Sequence, residues 1–282
     1  MTSAAAEVSA TPRRVRARPL AFVRRHLLTA YALLAFAYLL LPIAVVVMFS
    51  FNDPKGRFNY VWQGFTWDNW RHWDAVPGLS SALVNSLEIA AIASVCATAL
   101  GTLIALALVR HSFLGRSTTN LLVFLPMSTP EIVLGASLLT LFLSMNAQLG
   151  FWTIAIAHIM FCISFVVVTV KARLVGFDRH LEEAAMDLGA NEWTTFRRVT
   201  LPLIAPAILA ALLLCFALSI DDFVITNFNA GTTVTFPLFV WGAARAATPP
   251  QINVVGTAIF AIAVTVMLVN VFWQRRSAAG GS

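Results

Sequence analysis

Residues 27–49 carry no charge, and five further stretches of this 282-residue chain are almost as apolar. A helix needs about 20 mostly apolar residues to cross a bilayer, so the pattern dictates an all-α, polytopic membrane protein. Six transmembrane helices are predicted, over 27–49, 79–109, 119–145, 150–170, 199–220 and 252–273. Charged residues make up 11% of the chain, against about 25% in a soluble domain. That deficit excludes a soluble enzyme, a nucleic-acid-binding domain and a disordered protein. The first apolar stretch exceeds the ~7–15 residues of a secretory signal and ends in Phe49-Ser50-Phe51-Asn52, so it reads as an uncleaved span. Cys96, Cys162 and Cys215 all lie inside apolar runs and suit packing, with no disulfide framework or zinc spacing.

Lys and Arg set orientation. With the N-terminus inside, fifteen of the nineteen basic residues fall on the cytoplasmic side; only Lys55, Arg57, Arg71 and Arg245 fall outside. Both termini are therefore expected in the cytoplasm. The chain divides into a basic cytoplasmic arm (1–26), the first span and its outer loop (27–78), a core (79–274) and a short cytoplasmic tail (275–282). Trp62, Trp67, Trp70 and Trp73 crowd the outer loop. They suit an interfacial anchor, because indole is apolar with one N–H that wants water, or a contact for an external partner. Thr66 is placed to cap a short helix there.

The cytoplasmic loop 171–202 within the core is patterned. Asp178 can cap a helix whose first turn holds Glu182 and Glu183, favourable for the helix dipole. Leu181, Ala184, Ala185 and Leu188 give it an apolar face, and Gly189 stands where a left-handed residue ends helices. Asn191 can cap a second short helix through Val199, and Pro202 fits the first turn of the fifth span. Such a knob either folds back on the protein or enters a partner. Glu183-Ala184-Ala185, Gly189 and Val199-Thr200-Leu201-Pro202 resemble the EAA motif of binding-protein-dependent ABC importer permeases, with Val199 in place of Ile. The resemblance covers roughly residues 79–270 and includes Asn85-Ser86-Leu87. It implies the MetI-like permease fold, in which Glu183, Ala184, Ala185, Gly189, Leu201 and Pro202 would form the coupling contact with a separate ATPase. A P-loop requires Gly-Lys-Ser/Thr; Lys55 follows Pro54 and Lys171 precedes Ala172, so neither belongs to one. No catalytic or metal-binding residue is expected in this chain, which would bind no cofactor itself; ATP and Mg belong to the partner.

Acids within spans are costly and are functional candidates by default. Glu88, Glu131, Asp221 and Asp222 all fall in the outer half, with no Lys or Arg inside a span to pair with them. They suit a negative entrance for a cationic solute, with Phe223, Phe228 and Trp241 offering cation–π attraction. Glu131 follows Pro126 and Pro130, which must kink or break the third span. His158 has no partner at helical spacing and reads as a hydrogen-bonded core residue. Leu218–Ile225 (LSIDDFVI) and Pro249-Pro250-Gln251-Ile252-Asn253 resemble segments of the spermidine/putrescine permeases, with Gln251 where that family has Glu. That resemblance implies a bacterial inner-membrane subunit for polyamine uptake by alternating access. A homologous permease partner, two ATPase subunits and an extracytoplasmic polyamine-binding protein would complete the assembly. The residues alone leave open another solute (ferric ion, thiamine, a sugar) on the same architecture, or an ion-coupled secondary transporter.

Overall fold

A computed structural model of the chain describes the backbone of residues 19–279, with side-chain surroundings over 26–269. Residues 1–18 of the expected basic arm lie outside the described residues, as do the side chains of Arg275 and Arg276, while 19–26 are already part of the first helix. The helices are α1 (Pro19–Phe49), α2 (Asp68–Arg71), α3 (Leu79–Arg110), α4 (Arg116–Ser128), α5 (Glu131–Ser144) and α6 (Phe151–Val175). They continue with α7 (His180–Asp187), α8 (Glu192–Thr195), α9 (Leu201–Ile220), α10 (Val224–Asn229), α11 (Phe236–Ala246) and α12 (Pro250–Ala279).

Among the described residues, five helices are long and apolar enough to cross a membrane: His26–Phe49, Leu79–Arg110, Phe151–Val175, Glu192–Ile220 and Pro250–Val269. The sixth expected span is not one helix. It is α4 and α5, bent by 110° at a break. Proline disfavours helical geometry in the residue before it, and Thr129 ahead of Pro130 is extended (φ −83°, ψ 134°).

α3, α6 and α9 form the packed centre. One face of α3 is a row of small buried residues, Ala90, Ala93, Ala97, Gly101 and Ala105. Small residues let helix backbones approach in a membrane, where packing rather than water exclusion drives association. A Cβ on Gly101 would sit 2.6 Å from Val166 Cβ of α6. Between α6 and α9, each of Cys162 and Cys215 points its sulfur at the other's carbonyl, at 3.7 and 3.6 Å. α1 lies outside this centre, against α12, and no residue in its apolar window is buried.

The second short helix expected in the 171–202 loop is not a separate element, contrary to the sequence reading. α8 passes through a five-residue π-helical segment, Phe196–Thr200, straight into α9. Leu201 N–H bonds Phe196 O, and this wider turn accommodates Pro202, whose ring would crowd the carbonyl four residues back.

At the opposite end the loop between α1 and α3 is pinned by buried asparagines. Asn52 Nδ2 donates to Asn59 Oδ1 (2.6 Å) and Val61 O (2.8 Å), and Asn69 Nδ2 donates to Asn52 O (2.7 Å). Thr66 Oγ1 accepts from Asp68 N–H at 3.1 Å at the start of α2. Asn85 and Ser86 fasten the α10–α11 connection: Asn85 Nδ2 donates to Val234 O (2.9 Å), and Ser86 Oγ accepts from Phe236 N–H (2.8 Å).

Candidate functional site

Two helix breaks meet toward the end of the bundle away from α7. The first, at Pro130, starts α5 with Glu131 in its first turn, where the helix dipole favours a carboxylate. The second, at Asp221–Phe223, separates α9 from α10. α5 and α10 pack closely because Gly135 has no side chain; a Cβ there would meet the Phe228 ring at 2.8 Å. Phe228 is thus a packing residue of this contact. Around the breaks lies a cavity of about 260 Å³, lined by Glu131, Phe161, Leu218, Asp221, Asp222, Phe223 and Val224. Three of the four acids singled out in the sequence meet here. The fourth, Glu88, is exposed on α3 and is not among the lining residues.

The two neighbouring aspartates have different situations. Asp221 is exposed and also lines an adjoining apolar cavity of about 450 Å³ with Phe223, Phe236 and Trp241. Asp222 is not the unpaired acid that the sequence suggested. Its side chain is 7% exposed, and Oδ2 accepts from Thr226 N–H and Thr226 Oγ1–H, both at 2.8 Å, so it caps the first turn of α10. His158, 2% exposed, stands 3.2 Å from the same oxygen through Nε2, with Nδ1 2.7 Å from Ser219 Oγ and Nε2 3.0 Å from Thr226 Oγ1. Its partners come from the end of α9 and the start of α10 rather than from its own helix. One face of Trp241 is already covered by the Arg245 guanidinium, 4.5 Å from the ring centroid, and the Trp241 and Phe223 centroids are 5.2 Å apart. Phe223 is the aromatic that reaches both cavities.

The loop between α6 and α9 is built as a rigid projection. Asp178 Oδ1 accepts from His180 N–H at 3.0 Å at the start of α7. Gly189 ends it at φ +89°, with Gly189 N–H on Met186 O (2.9 Å) and Ala190 N–H on Ala185 O (3.1 Å). That is the Schellman arrangement, and it requires the left-handed residue. Asn191 Oδ1 then accepts from Thr194 N–H at 2.8 Å. Glu182, absent from the candidates, anchors the loop: its Oε1 accepts from Arg110 at the end of α3 and from Thr200 at the base of α9. Arg179 adds a bond to Val109 O at 3.2 Å. Glu183 and Ala184 face outward, Ala185 is half-buried, and Gly189, Leu201 and Pro202 are exposed. Leu188 is 90% and Trp193 69% exposed, so the projection ends in uncovered apolar surface.

The binding-protein-dependent transport system inner membrane component family matches residues 97–276. The chain is 35% identical over 255 residues to the spermidine/putrescine transport system permease protein PotC of Haemophilus influenzae, covering 90% of this chain and 98% of that protein. It is 38% identical over 235 residues to the putrescine transport system permease protein PotI of Escherichia coli, covering 80% and 83%. In fold it is similar to a chain of a bacterial ABC transporter that imports the acidic polysaccharide alginate, with TM-score 0.66, 15% identity and coverage of 92% and 99%. By sequence match, the chain belongs to the family of binding-protein-dependent transport system inner membrane components.

Proposed function

We propose that the chain is the membrane-spanning subunit of an ATP-driven importer that carries polyamines, putrescine or spermidine, into the cell. The observation that carries this reading is the cavity where Glu131, Asp221 and Asp222 converge at two helix breaks. A polyamine is a chain of ammonium groups joined by methylenes. Glu131 and Asp221 offer its nitrogens charged acceptors, and Phe161 and Phe223 offer the methylenes apolar surface. Broken helices are a physical route to such a site, because they bring helix ends and polar groups to depth within a bundle. The solutes named for the two relatives support the same choice.

α7 would seat in a separate ATPase subunit, presenting Glu183, Ala184, Ala185 and Gly189, while Glu182 ties it back to α3 and α9. ATP and Mg would act in that partner, whose closure would draw two such projections together and open the outer mouth. A homologous permease, a second ATPase and an extracytoplasmic binding protein would complete the assembly. The abundance of Lys and Arg at the α7 end supports placing that end, and both termini, in the cytoplasm.

The test is uptake of labelled putrescine and spermidine by polyamine-transport-deficient cells carrying the complete transporter. Loss of uptake in Glu183→Arg, with the complex still assembled, is expected for a coupling residue. An assembled, ATP-hydrolysing complex that moves neither amine would overturn the solute and leave the family untouched.

A further inference from the structure

A second polar cavity lies at the end of the bundle that carries α7, away from the solute site. It encloses about 310 Å³ between three helices and is lined by Leu108 of α3, Arg116, Ser117 and Asn120 of α4, and Lys171 of α6. Two of its five lining residues are cations and none is an acid. Neither cation belongs to an ion pair among the described residues. Both are nonetheless held in position. Arg116 donates from Nε to Leu108 O at 2.8 Å, which leaves its terminal guanidinium N–H groups for something else. Lys171 Nζ donates to Asn120 Oδ1 and retains two further N–H groups. Arg116 also stands in the first turn of α4, where the helix dipole disfavours a cation. Positive charge fixed in a concavity without a counter-ion calls for an anion.

What lies beside the cavity decides which anion. Along α4, one and two turns further on, Leu121, Phe124 and Leu125 are 63%, 39% and 48% exposed. A polar, cationic cup that continues into an exposed apolar stripe matches an amphiphile rather than a free ion. We infer that the cavity holds the phosphate of an anionic phospholipid between Arg116 and Lys171, with an acyl chain along Leu121, Phe124 and Leu125. On the orientation proposed above, this is an inner-leaflet lipid, which would brace the α3–α4–α6 junction beneath the kinked span.

The test is native mass spectrometry of the complete purified transporter incubated with phosphatidylglycerol or phosphatidylcholine. Each cation near an anionic lipid contributes about five-fold, so the pair predicts about thirty-fold preference for phosphatidylglycerol. Arg116→Gln combined with Lys171→Gln is expected to bring the two lipids to near parity, whereas Lys171→Arg and the outer-loop Arg57→Gln leave the preference intact. Arg116→Gln alone, at an exposed side chain, is expected to cost about five-fold and keeps the test readable if the double variant does not assemble. Equal retention of both lipids by the wild type, or an undiminished preference in Arg116→Gln and in the double glutamine variant, overturns the inference. Displacement of the lipid by excess inorganic phosphate would reassign the cup to a soluble phosphate.

Discussion

Replacing Asp221 and Asp222 with alanine, one at a time, is expected to separate solute binding from structure at two adjacent positions. Asp222→Ala removes the acceptor of Thr226 N–H and Thr226 Oγ1–H and the partner of His158 Nε2. Loss of a helix cap costs about 1 kcal/mol, and a buried donor left without an acceptor costs about 1–3 kcal/mol. The expected destabilisation is therefore about 2–4 kcal/mol, visible as earlier thermal denaturation of the purified complex. Asp221 is exposed and outside this network, so its alanine variant should stay within about 0.5 kcal/mol of the wild type. Its effect should fall on transport. A hydrogen bond to a charged group contributes about 1.5–3 kcal/mol, so the apparent KM for the polyamine should rise about 10–150-fold. Denaturation and concentration-dependent uptake, measured on the same preparations, give both readouts. An Asp222→Ala complex as stable as the wild type would refute the cap argument; an Asp221→Ala complex with unchanged KM would refute the contact with solute.

Glu182→Ala frees Arg110 and Thr200 at the root of α7, and is expected to leave ATP hydrolysis running while uptake falls; an ATPase assay beside uptake checks this, and equal loss of both would count against it. Gly189→Ala meets no atom within 4 Å but must adopt φ +89°, a left-handed conformation costing about 1–2 kcal/mol for a residue with Cβ. Gly189→Asn, which tolerates that conformation better, should retain more coupled uptake than Gly189→Ala. Gly101→Val places its Cβ 2.6 Å from Val166 and is expected to lower the yield of assembled complex, measured by size-exclusion chromatography of detergent extracts.

Features dictated by local chemistry were legible in the sequence. Pro130 announces a break because a proline restrains its predecessor, and the break falls at Thr129–Pro130, whereas Pro126 lies inside α4 without ending it. Gly189 and Asn191 act through bonds to residues within five positions, and both are found at the helix ends expected of them. Relations carried by tertiary packing were not legible. His158 and Asp222 are 64 residues apart, and nothing local marks Asp222 as the partnered acid and Asp221 as the open one. Arg110 and Glu182 are 72 residues apart, and beside Glu182 the neighbouring Glu183 carries the recognisable pattern, so the anchor was missed in favour of its neighbour. The merging of α8 with α9 was hidden because Pro202 reads as the start of a helix, whereas the chain runs on into it through a π turn.

The central claim is that the acidic cavity at the two breaks passes a polyamine cation under ATP drive. Its most direct test is ATP-dependent accumulation of labelled spermidine and putrescine in proteoliposomes of the complete transporter with its binding protein, for the wild type and for Glu131→Gln combined with Asp221→Asn. The account predicts accumulation that requires ATP and collapses in the double variant while the complex remains assembled and hydrolyses ATP. Accumulation undiminished by loss of both carboxylates would contradict it.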